Sequence, residues 1–395
     1  MFRSWTRAAA LVAALLVTGL TAPSAVGDPA YPTPDPDPFY AAPAELASLH
    51  PGDVVRTRQI DTTIFGGSTG WQVAFRSTNS VGKPIMATTT VMLPPGVSKP
   101  PLVSYQALIN ALGTQCSPSH SLFSGELQDG PGAVLPIMRG WAVSLPDYWG
   151  PQVAYAAGRL GGMVVLDSIR AVQKVPELGL AESPVGIAGY SGGALATSWA
   201  GALQPTYAPE LKLAGVVAGG IPADLEQMAR GLGFANHPGF GLAFAAAMGL
   251  EREYPDRLPI SSQLNDEGLW FREFTKDACR RFLLFHGVLR NAEQLAARKD
   301  LMDSPEAFAV LRENSIRYSD LNPTAPHYYW QGIEDFLTPY DSVAETVGRY
   351  CRNNVPITFV PYNISEHMTA AVMGLPAAWE YMEARFRNEP VTSTC

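Results

Sequence analysis

The stretch VGIAGYSGGALATSWA, residues 185–200, constrains this chain more than any other. It opens as an apolar run rich in strand formers, closes as an alanine-rich helix former, and places a serine among glycines at the changeover. Periodicity predicts a short buried strand over 185–188 and a helix beginning at ALATSWAGAL, so Gly189, Tyr190, Ser191, Gly192 and Gly193 form the connection. At a strand-to-helix turn the pattern G-x-S-x-G reads as a nucleophile elbow. Gly189 and Gly193 are needed there because a β-carbon at either position would strike the neighbouring strand or helix. The serine is then held in a strained backbone, its hydroxyl above the sheet and a helix N-terminus aimed at it. In a surface loop the same pattern would carry no chemistry; the strand–turn–helix context favours the elbow.

The rest of the chain alternates. ATTTVMLPP, PLVSYQ, WAVSLPD, PVGIAGY, LAGVVAGG, HYYWQG and ITFVPY are short apolar or β-rich runs, and AGRLGGMVVLDSIRAVQKV, SVAETVGRYC and AAWEYMEARFRN are helix-like. Such alternation implies βαβ units, hence an α/β fold whose mainly parallel central sheet is flanked by helices, and the α/β-hydrolase architecture fits it. No internal repeat is present. With 47% hydrophobic and only 16% charged residues, the chain has ample core material.

One interval, 222–320, holds no convincing strand and reads as a helical cap, or lid, inserted after the sixth core strand. Within it GLGFANHPGFGLAFAAAMGL carries Phe234 and then Phe240, Phe244 and Met248 at four-residue steps on one helical face. Those three side chains either line an acyl tunnel leading from Ser191 or fill a core, and the many glycines beside them favour the tunnel. The cap itself has a plain alternative, a buried helical subdomain without a substrate role. The expected organisation is a signal peptide over 1–27, a proline-rich arm over 28–45 that wraps the surface in extended form, a core over 46–221 and 321–395, and the cap between the two core parts.

The leader reading rests on Arg3 and Arg7, an apolar run from Ala8 to about Leu20, and small residues ending at Gly27, a run too short to span a bilayer. No later stretch reaches spanning length, so a secreted, soluble protein without a transmembrane anchor is expected. Removing the leader takes away two arginines and no acids, which moves the formal charge from −8 to −10 and argues against nucleic acid as a partner. Cys116, Cys279, Cys351 and Cys395 are an even set for an oxidising compartment, so two disulfides are expected. Three pairings are open. Cys116–Cys279 with Cys351–Cys395 is favoured, since the first would tie a core loop to the insertion and the second would fasten the C-terminus beside the last helix. Their spacing does not suit zinc, and no metal or organic cofactor is expected.

A serine hydroxyl needs a base to take its proton and an acid to orient that base, and in this fold they follow in the order serine, acid, histidine. His286 lies in the apolar RRFLLFHGVL of the cap, where a packed or surface histidine is the plainer reading, and His327 opens HYYWQG at the end of the strand away from the chemistry. His367, in ITFVPYNISEHMTAA, falls in the loop that leaves the last strand, at the carboxyl edge shared with Ser191. The acid is expected after HYYWQG, where Asp335 is preferred over Glu334, taken as its solvated neighbour, because Gly332, Asp335, Thr338 and Pro339 fill the usual G-x-x-D-x-x-[VT]-P turn. The oxyanion hole is expected from the Gly192 amide and from SYQALINALGTQC, with Asn110 as the second donor; a plain turn asparagine is the alternative.

With these residues placed, the chain resembles the secretory lipase family, the Candida antarctica lipase A-like branch of the α/β-hydrolases. The likeness runs through DPFY, SYQ and CSPS, GYSGGA, YAPEL, GIEDFLTPY and EHMTAAVMGLPAAW, over nearly all of the sequence after the leader. The resemblance implies Ser191, Asp335 and His367 as the triad, residues about 222–310 as the lid, and the same two disulfides. It also implies a secreted serine ester hydrolase acting on acylglycerols or other hydrophobic esters, at a lipid–water interface, with a monomer expected. Two departures stand out. Asn110 falls where those lipases have an oxyanion-hole aspartate, and an amide does not titrate. The sequence ends at Cys395 without the C-terminal flap, from which a more open site is expected. A short-chain acetyl or polyester esterase would use the same triad. A non-catalytic surface-binding protein on the same fold is disfavoured by the complete triad, and a peptidase by the lack of an acidic cluster for a free amino terminus.

Overall fold

The computed structural model describes residues 27–395 except 128, 234–235, 299–303 and 364–365. Residues 1–26 of the expected leader, and Phe234, therefore lie outside the described residues. Nine strands form one sheet among those described: β1 (Val54–Thr62), β2 (Ser68–Thr78), β3 (Pro84–Leu93), β4 (Leu102–Gln106), β5 (Ala142–Pro146), β6 (Val185–Tyr190), β7 (Leu213–Gly219), β8 (His327–Gly332) and β9 (Ile357–Tyr362). Their spatial order is β1-β2-β3-β5-β4-β6-β7-β8-β9. Pairing is antiparallel from β1 to β5 through β2 and β3, and parallel from β5 through β4 to β9.

The helices, again among the described residues, are α1 (Pro118–Ser124), α2 (Gly130–Met138), α3 (Gly158–Lys174), α4 (Gly192–Tyr207), α5 (Leu225–Gly233), α6 (Phe240–Glu253), α7 (Asp266–Thr275), α8 (Arg280–Gly287), α9 (Ala292–Leu295), α10 (Pro305–Glu313), α11 (Tyr340–Arg352) and α12 (His367–Phe386). β4, β5, β6 and β8 are buried at every residue because both sheet faces are covered. Val185 and Ile187 of β6 pack into one core with α3, α4 and α11, while Ala188 and Tyr190 of the same strand pack into a second core with α2 and α12. β8 divides in the same way, Tyr329 to the first core and Tyr328 and Trp330 to the second.

Two strands, β1 and β2, escape the sequence reading. β1 reads VVRTRQIDT and is half exposed at the sheet edge, so it lacks the apolar density of the central strands. In chain order the insertion follows the seventh strand, β7, and not the sixth. Among its described residues it is built of α5 to α10 and one bridge between Leu264 and Ala296. The arm over 28–45 is mostly irregular, with one 3-10 turn at Pro38–Tyr40 and a second just past its end at Leu46–Ser48. It is held by His120, whose Nε2 lies 2.6 Å from Asp35 Oδ2, by an ion pair between Asp37 and Arg58, and by Arg252, which donates to the Ala30 carbonyl. Cys116–Cys279 joins the segment after β4 to the residue before α8, and Cys351–Cys395 joins α11 to the C-terminus.

Register decides where chemistry can occur. Gln106 pairs with Gly189, Tyr190 with Gly219, Gly219 with Trp330, and Gly332 with Tyr362. The parallel strands thus end together, and the loops after β4, β6, β7, β8 and β9 share one edge. His327 begins β8 at the opposite end and is fully buried, Nδ1 lying 2.8 Å from the Ala325 carbonyl oxygen and Nε2 without a partner. Burial pushes its imidazole down to about 4. The unfolded chain therefore takes up this proton first, and the stability it holds above the ordinary histidine value is lost as pH falls from about 6.5 toward 4, at roughly 1.4 kcal/mol per unit. His327→Gln should be less stable than the parent at pH 7.5, with the deficit narrowing by about 2 kcal/mol at pH 5 in denaturant titrations. An equal deficit at both pH values would show that burial does not lower the affinity of this histidine for its proton.

Candidate active site

The turn at the centre of the site is tighter than the sequence predicts. β6 runs to Tyr190 and α4 starts at Gly192, which leaves Ser191 alone between them. Its N–H donates to the Gly219 carbonyl at 2.9 Å, continuing the sheet, and its carbonyl accepts from Leu195 N–H at 3.1 Å, opening the helix. One residue serves both hydrogen-bond patterns only by turning sharply, and Ser191 has φ 53° and ψ −122°. A non-glycine residue held there costs of order 1–3 kcal/mol, which the surrounding structure has to offset. The glycines make this feasible. A β-carbon at Gly193 would lie 1.9 Å from the Gln106 carbonyl oxygen, and one at Gly189 would lie 2.5 Å from Thr197 Oγ1.

His367 is not in a loop, as the sequence reading has it, but is the first residue of α12. The reason is a cap. Glu366 accepts from the Met368 and Thr369 amides and from the Thr369 hydroxyl, so the helix starts as soon as the chain leaves the sheet edge. The histidine is buried, with Nδ1 2.6 Å from Asp335 Oδ2, and its carbonyl oxygen accepts from the Tyr190 hydroxyl. Nε2 is buried without a hydrogen-bond partner.

Asp335 is buried in the loop after β8, whereas Glu334 beside it is exposed. Its Oδ1 accepts from the Leu337 and Thr338 amides at 2.9 and 3.0 Å. Gln331, which sequence reasoning missed, ties this loop down by donating to the Thr338 carbonyl at 2.8 Å while its own Oε1 accepts from Ile221 N–H. Burial pushes the Asp335 carboxyl up, but the hydrogen bond and charge of His367 and the two amides outweigh it, and the group ends below its ordinary value. The acid is therefore held as a carboxylate against the imidazole ring.

Asn110 is buried in the loop after β4, and its Oδ1 lies 2.6 Å from where a β-carbon on Gly192 would stand. Gly192 opens α4, so its N–H belongs to the first turn, whose amides have no intrahelical acceptor. Ser191, Gly192, Asn110 and His367 line one cavity of about 400 Å³, within the range of small-molecule sites. Carbon dominates its walls, which come largely from the insertion, with Met228 and Leu232 of α5, Ala243, Ala246 and Ala247 of α6, and Phe308 of α10. No sequence signal marks α5 or α10 as part of the site. Arg280 of α8 also reaches the wall.

Phe240 and Phe244 border this cavity, but Met248, expected beside them, does not and packs in the core instead. Each four-residue step on a helix overshoots a full turn by about 40°, so Met248 lies about 80° round from Phe240. It packs in a cluster with Phe244, Phe271 and Leu283. The small residues of α6 face the cavity, and they leave the room that the phenylalanines would have filled. Met248→Ala should cost about 2–5 kcal/mol in thermal or denaturant unfolding. Ala246→Phe should leave stability nearly unchanged and instead reduce uptake of an apolar fluorescent dye; reversed results would return Met248 to the cavity wall.

Comparisons with known proteins bear on the family and the fold. Residues 133–394 match the secretory lipase family. Lipase A of Moesziomyces aphidis is 32% identical over 90% of this chain and 81% of its own length. A secreted triacylglycerol lipase of Malassezia furfur is 30% identical over 91% of this chain and 77% of its own. The closed-state crystal structure of Candida antarctica lipase A superposes with a TM-score of 0.85 at 28% identity, covering 92% of this chain and 89% of that one. With a mostly parallel sheet and flanking helices of the same kind, and a family match spanning most of its length, the chain belongs to the secretory lipase family of ester hydrolases.

Proposed function

We propose that this lipase cleaves carboxylic esters of acylglycerols through an acyl-enzyme on Ser191. The observation that carries the reading is His367, whose Nδ1 is held by Asp335 while its buried Nε2 has no partner and whose ring lines the same cavity as Ser191. Ser191 Oγ attacks the ester carbonyl and passes its proton to Nε2, and the Asp335 carboxylate stabilises the imidazolium at Nδ1. The Gly192 and Asn110 amides receive the oxyanion. His367 then protonates the leaving alcohol, and a water deprotonated by the same nitrogen releases the acid and restores the serine. The scheme calls for no metal or organic cofactor.

The carbon walls supply the preference for acyl chains over polar ones, and the insertion over 222–320 acts as the lid. Secretion fits the two disulfides, a relative named as a secreted lipase and the leader composition of 1–27. Among the described residues no helix is long and apolar enough to cross a membrane. A lipid–water interface fits the outer surface of the insertion, where Trp270, Phe274, Phe282, Phe285 and Leu289 are all exposed within two successive helices and the turn after them. Soluble proteins seldom leave so many large apolar side chains together in water.

Ser191→Ala should fold normally and lose several orders of magnitude in turnover on a p-nitrophenyl ester series from two to eighteen carbons. More than about a tenth of the parent rate would remove Ser191 from the mechanism. Asp335→Asn should damage turnover far more than Glu334→Gln; the opposite ranking would move the acid to Glu334. For the interface, Phe285→Ser combined with Leu289→Ser should slow hydrolysis of emulsified triacylglycerol and spare p-nitrophenyl butyrate in solution. Equal loss on both substrates would argue that these side chains serve the fold.

A further inference from the structure

The loop that leaves β4 is pinned by side chains from other parts of the chain. In three successive residues, four backbone groups are bonded to side chains from elsewhere. The Ala107 carbonyl accepts from Tyr148 Oη at 2.7 Å, and the Ile109 amide donates to the same oxygen at 3.3 Å. The Ile109 carbonyl accepts from Trp149 Nε1 at 2.7 Å. The Leu108 amide donates to Asp129 Oδ2 at 2.9 Å. Ala107, Leu108 and Ile109 are buried, so these groups cannot turn to bulk water and are met by the protein. Tyr148 and Trp149 come from the segment just past β5, whereas Asp129 stands at the start of α2, so two separate parts of the chain grip this one loop.

We propose that Asp129 is a positioning residue for ester hydrolysis, fixing through the Leu108 amide the loop whose next turn presents Asn110 to Ser191. The inference rests on the oxyanion-hole reading of Gly192 and Asn110 given above. Asp129 is an expensive choice for a loop anchor. Its Oδ2 also accepts from Tyr105 Oη at 2.9 Å, but its Oδ1 is buried with no hydrogen-bond partner. Burial, countered by the Leu108 amide and the Tyr105 hydroxyl, leaves its carboxyl above the ordinary value, as expected for an acid placed for geometry and not for solvation. Tyr105 is itself locked, since a β-carbon on Gly132 of α2 would lie 2.2 Å from its hydroxyl oxygen. Sheet, α2 and loop therefore meet at one carboxylate.

The consequence is geometric. Asn110 lies two residues beyond Leu108, and its side chain already touches the space above Gly192. A displacement of about 1 Å at such a site costs on the order of 100-fold in rate. Because the oxyanion exists only along the reaction path, the loss should fall on kcat and spare KM.

The test compares three variants on p-nitrophenyl butyrate, with thermal unfolding measured in parallel. Asp129→Leu keeps the volume and removes the acceptor; kcat should fall between about 10- and 100-fold with KM within about twofold. Asp129→Asn keeps an acceptor for the Leu108 amide and should recover to within a few-fold of the parent. Tyr105→Phe deletes the other donor to the same oxygen without touching the loop and should keep the parent kcat, whatever its melting temperature. Asp129→Ala replaces the leucine variant if the latter does not fold, with the same expected split. Parent-like kcat in the acceptor-less variant, or a loss in Tyr105→Phe equal to it, would overturn the role and leave Asp129 as a stabiliser of α2. Ser191→Ala separates the two ideas: if it is inactive while Asp129→Leu is not, only the positioning role fails, and if it stays active the mechanism itself falls.

Discussion

The whole site depends on one pair of backbone hydrogen bonds. Ser191 gives its N–H to Gly219 across the sheet and its carbonyl to Leu195 in the helix, so strand and helix meet without a spacer. That hand-over fixes the serine above the carboxyl edge and puts the first amides of α4 beside its side chain. The backbone strain at this residue persists because everything around it is rigid. β6 is buried on both faces, Gly189 and Gly193 admit contacts no other residue would allow, and Trp199 further along α4 is wedged among buried neighbours.

Parallel register converts that local geometry into a site. Four loops arrive at one edge because the strands that feed them end level, and each brings one residue of the proposed site. β4 leads to Asn110, β6 to Ser191, β8 to Asp335 and β9 to His367. Each of these residues is held by groups outside the proposed chemistry. Gln331 and two amides fasten the Asp335 loop, Glu366 caps the helix that bears His367, and Tyr148, Trp149 and Asp129 grip the loop before Asn110. The insertion roofs the assembly with carbon and is anchored where it meets the core, by the Cys116–Cys279 disulfide and by Arg252, which donates to the Leu112, Gln152 and Val153 carbonyls.

Parts of this site are legible in the amino-acid sequence. The elbow can be read because its glycines answer a steric demand confined to five residues, and the Asp335 turn because its spacing is equally local. His367 is singled out by chain order and by its place after the last strand, although the helix that begins at this residue is not, since the capping by Glu366 competes with a loop reading of the same residues. β1 escapes such reading because a half-exposed edge strand carries polar residues and loses the apolar signature of buried ones, and β2, though mostly buried, hides its short apolar run between polar ends. The spacing of Phe240, Phe244 and Met248 is visible as a stripe, but not which side of α6 looks into the cavity.

By itself the sequence determined the α/β alternation, the elbow and the kinds of residue available for acid–base chemistry, because strand and helix periods and a tight turn are properties of neighbours in the chain. Only the tertiary structure decided which polar groups meet, how the loop carrying Asn110 is gripped, and that the alanines of α6 face the cavity while Met248 faces Phe271. Those outcomes depend on contacts between residues far apart in the chain. Asp129 and Leu108, or Asp335 and His367, come within hydrogen-bond reach only after the sheet has set its register and the helices have packed against it.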